Sequence, residues 1–163
     1  MFDCTILGTM FLLLGACALC KSVFIKYDRT VQCYREFLRL LYSLRQKISS
    51  SALSVEQILE SDDGYEVLVS SGFISTARKK GLSAGFSESE KMFCMDREDV
   101  DMLRKYFVGF GTDMLVAEIE NLSMVIEQIE KKYDLIKDDI PSKKKIASTV
   151  IVCGALMLII LII

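Results

Sequence analysis

The chain contains no histidine at all. That removes the commonest general base and the commonest metal ligand together, and it leaves serine and cysteine without a partner for nucleophilic chemistry. Tryptophan is also missing, and Pro141 is the only proline among 163 residues, a pattern that fits a helix-rich chain with few sharp turns. No stretch alternates long enough to read as a strand. No glycine loop has the G-x-x-x-x-G-K-[ST] form, and Gly109-Phe110-Gly111 is too short to cradle a phosphate and reads as a turn. Net charge is −2, so there is no basic footprint for nucleic acid. Of six cysteines, Cys4, Cys17, Cys20 and Cys153 lie in apolar runs as small hydrophobes. Cys33 and Cys94 remain, too few and too far apart in sequence for a disulfide framework, and a reducing compartment is the simpler reading. Cys17-x-x-Cys20 lacks any group that would stabilise a thiolate. The acidic run Glu98-Asp99-x-Asp101 is explained by helix-dipole complementarity without a metal. These absences argue against an enzyme, a cofactor and a small-molecule substrate.

Apolar residues are abundant, at 52% with a mean hydropathy of +0.35, and they are unevenly placed. All twenty basic residues and all but one of the acidic ones lie between Lys21 and Lys145. Cys4–Cys20 is uncharged and extends to Ile25 if Lys21 snorkels. Ile146–Ile163 is a second apolar run. At ~1.5 Å per residue it covers roughly 27 Å, close to a hydrocarbon core of about 30 Å. A cleaved signal peptide for the first run is disfavoured because Met1-Phe2-Asp3 carries no Lys or Arg. The same absence counts against a lipoprotein reading of Leu14-Gly15-Ala16-Cys17, and a buried core helix is the remaining alternative.

Lys21, Lys26, Arg29, Arg35 and Arg39 follow the first run, and Lys143, Lys144 and Lys145 precede the second. Both runs therefore give the same orientation by the positive-inside rule, with the middle cytoplasmic. Lys21 and the Lys143–Lys145 triplet are the expected membrane-edge anchors. Each lysine near an anionic surface contributes roughly 1 kcal/mol. The expected organisation is a membrane helix over 1–25, a cytoplasmic helical domain over 26–142 and a membrane helix over 143–163.

Within the middle, Tyr27, Val31, Tyr34, Leu38, Leu41, Leu44 and Ile48 fall at helical spacing, widened by Phe37 and Leu40. With no Gly or Pro between Lys21 and Ile48, this helix is expected to continue the first membrane helix, and its exposed face is basic. Ser54–Gln57 reads as a capping box for a short helix to about Glu60, followed by a turn at Asp62-Asp63-Gly64. Helix is expected over Tyr65–Lys80 with a break near Gly72, stopped by Gly81, then over Ser83 to about Met95. Asp96 is expected to cap a further helix running to Gly109. Leu115, Ile119, Leu122, Ile126, Ile129, Tyr133, Ile136 and Ile140 then repeat in a 4-3 rhythm, a heptad seam. Burial gives roughly 1.5–3 kcal/mol per side chain, while ordering costs ~1–2 kcal/mol per residue, so the seam requires a partner. An antiparallel pairing with the Tyr27–Ile48 stripe supplies one, and a coiled-coil dimer acting as a structural or signalling stalk is the alternative. Pro141 is expected to kink or break the last helix.

The fold class is thus all-α: a helical bundle with long antiparallel amphipathic helices, flanked by N- and C-terminal transmembrane helices. The segment Arg35–Ile48, the residues Asp99, Leu103, Arg104, Tyr106 and Gly111, and the tail Ala155–Ile163 together resemble the stage III sporulation protein AB family of endospore-forming bacteria. The resemblance runs over nearly the whole chain in length and order of segments. It implies a helical bundle similar to the cytoplasmic domain of type II secretion inner-membrane platform proteins. It also implies a place in a secretion-like complex between mother cell and forespore, with a secretion-type ATPase as cytoplasmic partner and the domain on the mother-cell side. Arg35, Arg39, Arg45 and Lys47, with Glu98, Asp99 and Asp101, are the candidate docking residues on that reading, and self-association into a homo-oligomer is compatible with it.

Overall fold

The computed structural model describes residues 2–49, 64–111 and 115–162; the expected capping box at Ser54–Gln57 lies outside them. Among the described residues there are six α-helices and no strand. They are α1 (Phe2–Ser49), α2 (Glu66–Ser70), α3 (Phe73–Lys80), α4 (Leu82–Ser89), α5 (Arg97–Gly109) and α6 (Leu115–Ile162), with a 3-10 turn at Glu90–Met92 after α4. The chain forms two compact units, one of residues 29–135 and one holding the residues up to Asp28 together with those from Ile136 onward.

In the 29–135 unit the apolar stripes lie where the spacing puts them. Tyr34, Phe37, Leu40, Leu41 and Leu44 of α1 are fully buried, and Leu122, Ile126 and Ile129 of α6 are buried with them. Arg35 Nε donates to the Tyr133 hydroxyl at 3.3 Å, and the Tyr42 hydroxyl donates to Glu130 at 3.2 Å. A step forward along α1 is a step back along α6, so the helices run antiparallel. The centre of the α6 stripe, Leu122, Ile126 and Ile129, is thus covered within one chain.

The short helices fill the rest of the core with aromatic rings. Phe37 packs against Phe73, Phe86 and Phe93 at centroid distances of 5.9, 5.9 and 4.9 Å, and Phe107 joins Phe73 and Phe86 at 6.0 and 5.3 Å. Edge-on and tilted rings at this spacing contribute ~0.5–1.5 kcal/mol per pair beyond area burial. The break between α2 and α3 falls at Gly72 and the one between α3 and α4 at Gly81, with φ of +81° and +91°, a region that costs glycine little. Gly85 lets α4 approach α3 closely, since a Cβ there would lie 2.8–2.9 Å from atoms of Ala77.

Three expectations are corrected. The helix begun at Leu82 does not reach Met95: it tightens into the 3-10 turn and becomes extended at Phe93, which carries that ring into the cluster. Asp96 occupies the N-cap position of α5 but makes no side-chain cap bond; its carboxylate pairs with Lys132 at 2.7 Å instead. Pro141 does not break α6, which runs from Leu115 to Ile162. The ring is exposed, so the lost backbone bond falls on the solvent side, while the neighbouring Ile140 is 7% exposed and holds that turn in its own unit.

In the other unit, α1 and α6 carry the two apolar segments. Each is long and apolar enough to cross a membrane, with mean hydropathies of 1.9 and 2.0 over windows only 6% buried. Core helices of a soluble protein bury such windows, whereas these leave Leu14, Leu19, Val150 and Met157 exposed. Two long apolar helices of this kind fit membrane anchoring.

Candidate docking surface

The arginines expected to dock a partner all lie on the outside of α1. Arg35 sits opposite the buried stripe, and Arg39 follows about 40° around the helix. Each guanidinium of the three is steadied by a tyrosine. Arg35 reaches the Tyr133 hydroxyl, Arg39 lies 5.5 Å from the centre of the Tyr65 ring, and Arg45 lies 5.9 Å from that of Tyr42. Arg over an aromatic face gains roughly 0.5–1 kcal/mol at exposed sites and loses less side-chain freedom on binding. Lys47 is half-buried on the flank of this face.

The acids at the start of α5 do not form one surface. Asp99 turns towards α1, where it accepts a 2.5 Å hydrogen bond from the Tyr34 hydroxyl, and that same oxygen accepts the Asp96 N–H at 3.2 Å. Burial, and then the Asp99 hydrogen bond, push the Tyr34 hydroxyl well above the ordinary tyrosine pKa. Glu98 and Asp101 point the other way, into an open groove of about 640 Å³ between α5 and α6. Asp101 is bound there by Arg104 at 2.7 Å, which also holds Glu90 at 2.7 Å. Deeper in the groove lie the Tyr106 hydroxyl and the Glu118 carboxylate. Burial, followed by the charge and hydrogen-bonding reach of the nearby Glu118, raises the Tyr106 pKa. Glu118 in turn accepts the Gly111 N–H at 3.3 Å, which ties the turn after α5 to the first turns of α6. Among the described residues no ion pair joins the α1 arginines to the α5 acids.

Several working residues went unnoticed in the sequence. Glu36 is 3% exposed, yet its carboxylate accepts the backbone N–H groups of Val67 at 2.9 and 3.0 Å and of Leu68 at 2.9 Å. It caps α2 from another helix, where Tyr65 at the N-cap offers no side-chain bond. Gln32 donates to Glu36 at 3.1 Å and to Glu66 at 2.9 Å, bracing both. Cys33 is buried, and the backbone of Cys94, remote in sequence, hydrogen-bonds its sulfur; burial pushes the thiol up to about 12. The lysines expected at the membrane edge all belong to the other unit. Lys144 pairs with Asp28 at 2.6 Å and Lys143 with Asp139 at 3.1 Å, while Lys21 and Lys145 are exposed.

Set against known proteins, the chain matches one family model, described as Stage III sporulation protein AB, over residues 5–163. No curated protein and no solved structure matches it.

Proposed function

Because the chain belongs to the stage III sporulation protein AB family, and is thereby a sporulation protein, we propose that it is a non-catalytic scaffold anchored in the membrane by both apolar helices. Its central domain lies in the cytoplasm of the mother cell and docks a secretion-type ATPase for a secretion-like channel complex. The domain boundaries follow from the charge pattern: anchors over 1–25 and 143–163, with the bundle between them. Lysines at the inner edge of both anchors support that orientation.

The observation that carries the docking role is the tyrosine-steadied display of Arg35, Arg39 and Arg45 on the exposed side of α1. Exposed guanidiniums each held against a tyrosine suit carboxylates on a partner. The groove edge formed by Glu98 and Asp101 is a second, opposite-signed contact on the same domain, whereas Asp99 acts inside the fold through Tyr34. The stalk-like dimer is the weaker reading, since its seam residues Leu122, Ile126 and Ile129 are already buried within the chain.

The test is charge reversal. Arg35→Glu, Arg39→Glu and Arg45→Glu combined should sharply lower co-purification of the cognate ATPase from sporulating cells, with the protein's membrane level unchanged. Full recovery of the ATPase with the triple variant removes this face from the proposal.

A further inference from the structure

Small residues govern how α1 and α6 meet in their apolar parts. Ala155 of α6 is buried, at 8% exposure, while Ala16, Cys17 and Cys20 of α1 leave space beside it. The result is a groove of about 420 Å³, with Leu13 and Leu156 among its walls. Its size falls in the range of about 300–1,000 Å³ usual for ligand sites. Its body offers water no polar partners, and an unfilled groove in hydrocarbon would forfeit dispersion contacts along its whole lining.

The mouth is different. It is formed by Lys21, Phe24, Ile25 and Asp28. Asp28 is neutralised by Lys144 at 2.6 Å, and the same ammonium lies 5.4 Å from the centre of the Phe24 ring. That pair cancels. Lys21 remains exposed, with no ion-pair partner among the described residues. An apolar body beneath a single positive mouth matches an amphiphilic anion. A helix from a second copy would fill the body and leave Lys21 unmatched. Basic pockets between membrane helices on the cytoplasmic side are suited to anionic headgroups, which are concentrated in that leaflet.

We propose that this groove binds one anionic phospholipid, its acyl chain lying along Leu13–Cys20 against Ala155 and Leu156, its phosphate held by Lys21. The proposal rests on the membrane-spanning reading of both apolar segments.

The full chain in detergent micelles, titrated with dioleoylphosphatidylglycerol or dioleoylphosphatidylcholine and examined by native mass spectrometry, tests it. One phosphatidylglycerol per chain should be retained about fivefold better than phosphatidylcholine, the factor expected from one lysine. Lys21→Gln should bring that ratio close to one while both lipids still bind. Cys17→Leu, which fills the body, should lower retention of both. Equal retention by the wild type, a ratio unmoved by Lys21→Gln, or a dimer that excludes both lipids overturns the proposal. Alkaline carbonate extraction of membranes carrying the chain separates the two readings: release means the spanning segments are wrong, whereas retention without lipid preference sinks only the groove.

Discussion

Replacing Glu36 isolates one carboxylate that holds two helices together. It is 3% exposed and accepts N–H groups from Val67, Leu68 and Gln32 at 2.9–3.1 Å. Glu36→Ala strands two buried backbone donors at the start of α2, each costing about 1–3 kcal/mol. It also deletes a negative charge at a helix N-terminus, worth ~0.3–1 kcal/mol and up to ~2 kcal/mol when partly buried. Relief from keeping a carboxylate away from water offsets part of this. The expected net loss is about 3–5 kcal/mol, a large share of the ~5–15 kcal/mol that holds a typical domain together. Glu36→Gln keeps one acceptor oxygen and should lose only about 1–2 kcal/mol. Denaturant unfolding of the full chain in micelles, followed by far-UV circular dichroism, orders the three proteins. Wild type should be the most stable, then Glu36→Gln, then Glu36→Ala. A Glu36→Ala protein within ~0.5 kcal/mol of wild type, the usual range for surface substitutions, would refute the capping role.

Two further outcomes are expected. Gly85→Ala forces a methyl group to within 2.8–2.9 Å of Ala77 and should cost ~1–3 kcal/mol despite the better helix propensity of alanine; an unchanged denaturation midpoint would mean that α3 and α4 do not touch there. Stability should also fall at alkaline pH. The Cys33 thiol is raised to about 12 from an ordinary value near ~8.5, and Tyr34 and Tyr106 are raised as well. All three favour their neutral form when folded, so their contribution is complete below ~8.5 and declines as pH climbs towards the folded values. Cys33 alone accounts for a loss on the order of 4 kcal/mol by pH 12. Unfolding midpoints measured from pH 8 to 11 should drop, and Cys33→Ala should flatten that decline; an identical slope in the variant would discount the buried thiol.

Periodicity made the long elements legible. The α1 and α6 stripes, the break at Gly72 and the stop at Gly81 are each dictated locally, by spacing or by a backbone angle that glycine tolerates. What escaped the sequence depends on partners far away along the chain. Glu36, set between Arg35 and Phe37, reads as the edge of an amphipathic face, and its partner is the start of a five-residue helix. The signal was negative: no Ser, Thr, Asp or Asn stands at Tyr65, so the α2 donors had to be satisfied from elsewhere. Phe73, Phe86 and Phe93 sit in segments too short to show a period, and only the assembled rings reveal a common centre. Asp99 looked equivalent to Glu98 and Asp101 until about 100° of helical rotation per residue separated a carboxylate facing Tyr34 from two facing the groove. Pro141 did not end the helix because a single missing N–H on an exposed turn is a local cost that the long helix around it outweighs.

The aromatic cluster also sets the order in which the domain matures on the ribosome. The helices α2, α3 and α4 have five to eight residues, well below the ~12–15 at which an isolated helix becomes even marginal in water, so none can wait preformed for its neighbours. Phe37 is made early and Phe107 late. At ~5–20 residues per second the buried face of α1 stays uncovered for several seconds after synthesis. During that interval the nascent chain exposes Leu40, Leu41 and Leu44, and another surface or a chaperone must shield them until α5 and α6 arrive.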